Sequence, residues 1–279
     1  MSKLAAGLLC LSQIGMAQAA DKAIPPEPRA IDIRVQAEGF GKASAADITV
    51  VLQSAARELW QYCPNTQLPG IDVYHRSDHP QTDSKRTAKG RIAIGLAARD
   101  NHWAQYAFQF AHEYCHALIN YSNNGGAVVV HERYPNLWFE ESLCEAASLF
   151  TLRALSRSWL TAPPDPIWRE YAPWFSSYAE QRLAASTRQH LAGKSFMLWF
   201  RANEAGLRRS GVDRDRNTII AAQILPIFER EPKGWGSLPF FRQASSHSLA
   251  QVFAEWRSCC PPDLKHFLGK LAGVFDVQI

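Results

Sequence analysis

His112 and His116 stand four residues apart, with Glu113 directly after the first, in the stretch Ala107–Asn120, AFQFAHEYCHALIN. On a helix such histidines differ by about 40° around the axis, so both imidazoles leave one face. One rigid element can then hold a Zn²⁺ ion through two nitrogens. Glu113 is rotated by about 100° from His112, beside such a metal, as a base and not as a ligand. A catalytic zinc takes three protein ligands and keeps a fourth position for water, so a third donor is expected downstream. The segment Trp138–Glu145, WFEESLCE, offers Glu140, Glu141 and Glu145. Glu141 and Glu145 share a helical face, so the first can ligate and the second can orient a histidine from behind. Glu140 is adjacent and equally acidic, and only one of the two neighbours can face the metal.

HEYCH followed by WFEESLCE resembles the gluzincins, the thermolysin-like and M1-aminopeptidase-like zinc metallopeptidases, whose second motif reads roughly W-L-x-E-G-x-A. Trp138 and Phe139 take the W-L places and Glu141 the zinc-ligand place. Ser142 stands where glycine is usual, Cys144 where alanine is usual, and Glu145 where the thermolysin-like proteins carry an acid behind a histidine. The resemblance is strict over residues 112–145 and loose over most of the remaining chain. It implies a zincin-like N-terminal half, zinc on His112, His116 and Glu141, and hydrolysis of a peptide or protein substrate with Glu113 as general base. It also implies that Arg91–Leu96, the strand before the active helix, lines the cleft and pairs with an extended substrate. A metzincin-type third histidine is excluded, because His116 is followed by ALINYSNN.

Some features depart from that pattern. The spacer from His116 to Glu141 is a few residues long for the family, and no G-x-M-E-N motif precedes the helix. Where the M1 enzymes have Y-x-K-G, this chain has His190-Leu191-Ala192-Gly193-Lys194. His190 is therefore the expected donor to a developing oxyanion, with Tyr171 and Tyr178 as rivals. A second reading keeps the zincin fold and the metal but assigns a zinc-binding or partner-binding role with little catalysis. Hydrolysis of a non-peptide amide would use the same residues.

The elements that must position these groups follow from periodicity and breakers. Ile31–Val35 alternates as a strand, Ala46–Tyr62 reads as a helix, and Gly70–His75 and Arg91–Leu96 read as strands. Ser77–Gly90 is polar and is expected as an exposed loop. Ser122–Gly126 ends the histidine helix, Ala127–His131 is a short apolar strand, and Pro135-Asn136 introduces a helix over Leu137–Leu155. Pro163, Pro164 and Pro166 mark a linker. Helices are expected beyond it near 175–190, 193–206, 216–230, 247–258 and 262–274. The fold class is α+β: a zincin-like subdomain over 20–160 with a small mixed sheet, then a helical subdomain over 161–279.

The chain's 279 residues, 47% hydrophobic, supply ample core material. A net charge of +4 without a dense basic block gives no reason to expect nucleic-acid binding, and the cluster Arg208–Arg216, which carries two Asp, reads as a solvated surface. Residues 1–19 read as a signal peptide: Lys3, an apolar run Leu4–Met16, and Ala17-Gln18-Ala19 as the cleavage site. The expected location is periplasmic or secreted, with no stable membrane insertion, since no stretch is long enough to span. Export allows disulfides, and Cys115–Cys144 and Cys63 with Cys259 or Cys260 are candidate pairs. His75, His79, His102, His131, His247 and His266 show no ligand spacing and read as surface or packing residues.

Overall fold

A computed structural model describes residues 31–121, 134–190, 195–241 and 248–279, the side chains of 186–190 apart. The expected signal peptide, the strand Ala127–His131 and the His190 side chain lie outside what is described. The architecture is mixed α+β and mainly helical, with one four-stranded sheet. β1 (Ile33–Val35), β2 (Ile71–His75) and β4 (Ile92–Leu96) run parallel in the order β1-β2-β4. β3 (Gln81–Thr82) closes the sheet antiparallel to β4, pairing Gln81 with Gly95 and Thr82 with Ile94. Every residue of β4 is buried, which suits its unbroken apolar run: both faces of this strand are covered. Arg91 precedes it, and its guanidinium reaches Asp32 and Asp72 across the sheet. Gly70 leaves room for that group, since a Cβ there would lie 1.9 Å from Arg91 Nη1.

The helices are α1 (Ala45–Trp60), α2 (Trp103–Tyr121), α3 (Leu137–Thr161), α4 (Ala172–His190), α5 (Phe196–Arg209), α6 (Arg214–Arg230), α7 (Leu249–Cys259) and α8 (Pro262–Gly273). Several begin at the expected chemistry. The side chains of Ser44, Ser195, Asp213 and Ser248 accept hydrogen bonds from backbone N–H groups of the first turns of α1, α5, α6 and α7. Helix α2 has 16 of its 19 residues buried, so it is covered on all sides and runs through the core. Gln109 fixes it to the end of β4 by accepting from the backbone of Ala97 and Ala98 at 2.9 and 3.0 Å. Helix α3 packs along α2, and Ser148 on α3 donates to the carbonyl of Phe108 on α2 at 2.9 Å.

Three expectations change. The loop Ser77–Gly90 contains β3, whose two residues are too few to show an alternating pattern. The helix expected to end at Leu155 continues to Thr161, because Trp159 is buried against Trp168 and Phe175. The proline segment beyond it is no free linker. It folds as a 3-10 turn over Pro166–Tyr171, with Trp168 against Trp103 and Trp159. One hydrophobic core runs from Ile33 through α2 and α3 to Phe275.

The cysteine pairs also differ. All five described cysteines are free thiols. Cys115 and Cys144 do meet across the α2–α3 contact, but as hydrogen-bonded thiols. Cys63 donates to the carbonyl of Trp235 at 3.5 Å. Burial pushes its pKa up to about 12, which keeps it protonated and unreactive.

Candidate metal centre

Helix α2 presents His112 and His116 to the first turns of α3. His112 Nε2 lies 3.2 Å from Glu141 Oε2, and His116 Nε2 lies 3.6 Å from Glu141 Oε1. One carboxylate therefore faces the same nitrogen of both imidazoles. Behind the rings stand two more carboxylates. His116 Nδ1 donates to Glu140 Oε1 at 2.7 Å, and His112 Nδ1 is 3.9 Å from Glu145 Oε2. The two neighbouring glutamates thus take different parts: Glu141 faces the histidines from the cleft, while Glu140 is fully buried and orients His116. Glu140 is held in turn by the Tyr134 hydroxyl and by Asn120 Nδ2. Glu145 accepts from Thr218 at 2.9 Å and from Arg182 at 3.2 Å. Ser142, where the resemblance expects glycine, is buried and donates to the carbonyl of Trp138 at 2.7 Å. Its hydroxyl is satisfied within α3 and does not enter the cleft.

The electrostatics follow from this packing. Burial works against a charged His116, yet the facing Glu141 and Glu140 carry its pKa well above the usual imidazole range. The same charges hold Glu141 well below the usual carboxylate range against its own burial, with His116 contributing most and His112 adding to it. The facing carboxylates thus favour a proton on His116. A cation drawn in by the carboxylates would replace that proton.

Glu113, one position beyond His112, is buried along its stem and opens on the cleft. Its Oε2 accepts from Thr82 Oγ1 at 2.9 Å. Strand β3 is pinned over α2 by this contact and by Tyr121, which donates to the carbonyl of Asp83 at 2.9 Å. The expectation that Arg91–Leu96 itself receives a substrate strand is overturned. β4 is paired with β2 on one edge and β3 on the other, so among the described residues β3 forms the outer edge of the sheet beside Glu113.

A cleft of about 530 Å³ opens over this centre. Among its lining residues are Thr82, His112, Glu113, His116, Glu141 and Tyr178. Tyr178, on α4, packs against Phe108. Burial raises its pKa, with Arg182 and Arg214 pulling the other way, so the hydroxyl keeps its proton. Tyr171 does not reach the cleft: its hydroxyl accepts from the backbone N–H of Ala104 at 3.1 Å. His190 ends α4, eight residues beyond Arg182 and so about 12 Å further along the axis.

A second donor set lies alongside. His112, His116 and Cys144 bring ligand atoms within 4.8 Å of one another. Cys144 is fully buried and outside the cleft, and burial together with Cys115 keeps its thiol well above the ordinary pKa. His112 and Glu141 instead keep 18% and 14% of their side chains exposed, so the His-His-Glu side is the one an ion and a water can reach.

Several site residues were not marked by the sequence. Thr82 and Tyr134 belong to no motif, and Glu140 was set aside as Glu141's competitor. His79, read as a surface residue, stands at the rim of the cleft. Arg208, Arg209 and Arg214, read as solvated surface, line the cleft as well. No protein-family model matches the chain, and no curated protein or solved structure does either.

Proposed function

We propose that the protein is an exported zinc-dependent peptidase with a zincin-like catalytic half, in which His112, His116 and Glu141 hold the metal. The observation that carries this reading is the single carboxylate facing Nε2 of both histidines at 3.2 and 3.6 Å. With zinc–ligand bonds near 2.0–2.1 Å, the edges of a tetrahedral site measure about 3.3 Å, close to these two separations, which run one to each oxygen of the carboxylate. Both Nδ1 atoms backed by carboxylates suit the same role, because a ligating imidazole is oriented by a partner on its other nitrogen. Zinc bound there would lower the pKa of a water and polarise a carbonyl.

The chain's own residues supply the remaining chemistry. Glu113 takes a proton from the attacking water and delivers it to the leaving nitrogen, while Thr82 keeps the carboxylate turned toward the cleft. The water's oxygen joins the carbonyl carbon, the C–N bond breaks, and the products are a carboxylate and an amine. Tyr178 is the tyrosine placed to donate to the carbonyl oxygen as negative charge develops; His190 is the rival on the same helix. The outer edge of β3 receives the substrate main chain. Residues 1–19 direct export to the periplasm or beyond, with cleavage near Ala19. Among the described residues no helix is long and apolar enough to cross a membrane.

The His112–His116–Cys144 group favours a second reading, a closed structural zinc with little catalysis. Zinc analysis and peptide hydrolysis, by wild type and Glu113→Gln, separate the two. The peptidase reading expects one zinc in both proteins and cleavage by wild type alone. Stoichiometric zinc without cleavage of any peptide in a broad library supports the structural reading, and absence of zinc removes both.

A further inference from the structure

We propose that the arginine-bearing wall of the cleft, from α4 to α6, is a carboxylate-recognition site, so that the enzyme acts on peptides with an acidic side chain or a free C-terminus near the scissile bond. This rests on the peptidase reading above and names its substrate class.

Four arginines line the one cavity: Arg182 from α4, Arg208 and Arg209 from the end of α5, and Arg214 from the start of α6. They come from three helices, so their convergence is a product of the fold and not of one basic stretch. Their commitments differ. Arg182 stands over the ring of Phe108 at 4.7 Å and gives Nη2 to Glu145, while its Nε is buried without a hydrogen-bond partner among the described residues. Arg208 is paired with Glu204 at 3.6 Å and reaches Asn136. Arg209 and Arg214 are exposed and have no carboxylate partner among the described residues.

The cleft's acids neutralise Arg182 but are not paired with Arg209 or Arg214 among the described residues. Glu141 is turned to the histidines, Glu145 is taken by Arg182 and Thr218, and Glu113 is held by Thr82. Arg209 and Arg214 are therefore the two guanidinium groups of this wall left without a carboxylate partner among the described residues. Ending α5 with arginines also complements its dipole, but that explains neither Arg214 at a helix start nor Arg182 within α4. The turn that carries Arg209 toward Arg214 is seated firmly. A Cβ on Gly211 would lie 2.7 Å from Leu137 Cβ, and Asn217 Nδ2 donates to the Gly211 carbonyl at 2.9 Å. The turn between Arg209 and Arg214 is thus anchored beside the start of α3, just before Glu141. Guanidinium matches a carboxylate with two parallel hydrogen bonds, and a peptide carboxylate is the anion that a peptidase cleft meets.

The test uses the zinc-loaded protein and blocked nonapeptides in which Glu replaces Gln at each position in turn, with a second pair differing only in a free or amidated C-terminus. Two readouts are taken: kcat/KM with wild type, and Kd by fluorescence anisotropy with Glu113→Gln. We expect a preference of about tenfold or more for the charged member at one position, in both readouts, weakening with added salt. The position at which it occurs distinguishes a side-chain from a C-terminal carboxylate. In Arg209→Gln/Arg214→Gln the ratio should collapse toward one, and in the corresponding double lysine variant most of it should return. Cleavage with equal rates for charged and neutral members overturns this inference and leaves the peptidase reading standing. Acid-selective binding without cleavage of any peptide does the reverse. Neither cleavage nor acid-selective binding removes both.

Discussion

The two walls of the cleft are built on opposite plans. On the α2–α3 side, His116, Glu140 and Glu145 are buried, and each is fixed by hydrogen bonds to groups that are themselves held in place. On the α4–α6 side, Arg182 and Arg208 are half-buried and ion-paired, whereas Arg209 and Arg214 line the same space from exposed positions without a carboxylate partner among the described residues. The first wall is preorganised: its geometry is maintained before any ligand arrives, as bond-making chemistry requires. The second is adaptable, holding charge on long side chains that can settle on ligands of more than one length. Substitutions on the first wall should therefore change chemistry and stability, and those on the second should change selection.

The sharpest test of that division is Glu113→Gln. Loss of a general base should lower hydrolysis by about 10²–10⁴-fold, with zinc content unchanged by metal analysis. Next come the two neighbouring glutamates. Glu141→Ala should weaken zinc by more than about 100-fold in competition with a chelator. The sequence alone leads one to expect no effect at Glu140, but its contact with His116 changes that. Glu140→Ala should lower zinc affinity by about 10–100-fold, since groups that orient a ligand contribute on that scale. It should also destabilise the metal-free protein by about 3 kcal/mol in urea unfolding, because it breaks a buried pair.

A smaller effect is expected from pH. The carboxylates raise the pKa of His116, so zinc competes with a proton there, and affinity should rise with pH until that raised pKa is passed. A flat profile in zinc titrations would contradict a protonated His116. Smallest of all is the stability change in Arg209→Gln/Arg214→Gln, within about 0.5 kcal/mol, because surface groups without partners add little to the fold. A larger loss would mean that the second wall is structural, and the contrast between the walls would disappear.

What could be read in the sequence follows the same division. The helix at Trp103–Tyr121, the start of the helix at Leu137 and the buried strand Ile92–Leu96 were legible because each is written in local periodicity. The facing of His112, His116 and Glu141 followed from helical spacing plus one motif. Glu140 was not legible as a partner of His116. Two adjacent acids on a helix point about 100° apart, and only the packing of α3 on α2 shows that both directions are occupied. Thr82 was hidden because a two-residue edge strand carries no pattern. The arginine wall was hidden because it exists only where three separate helices converge.

Anomalous diffraction at the zinc edge from a crystal soaked in zinc tests the central claim most directly. The account predicts one strong peak bonded to Nε2 of His112, Nε2 of His116 and the carboxylate of Glu141, open to the cleft. A peak on Cys144 behind the histidines, or no ordered zinc between α2 and α3, would contradict it.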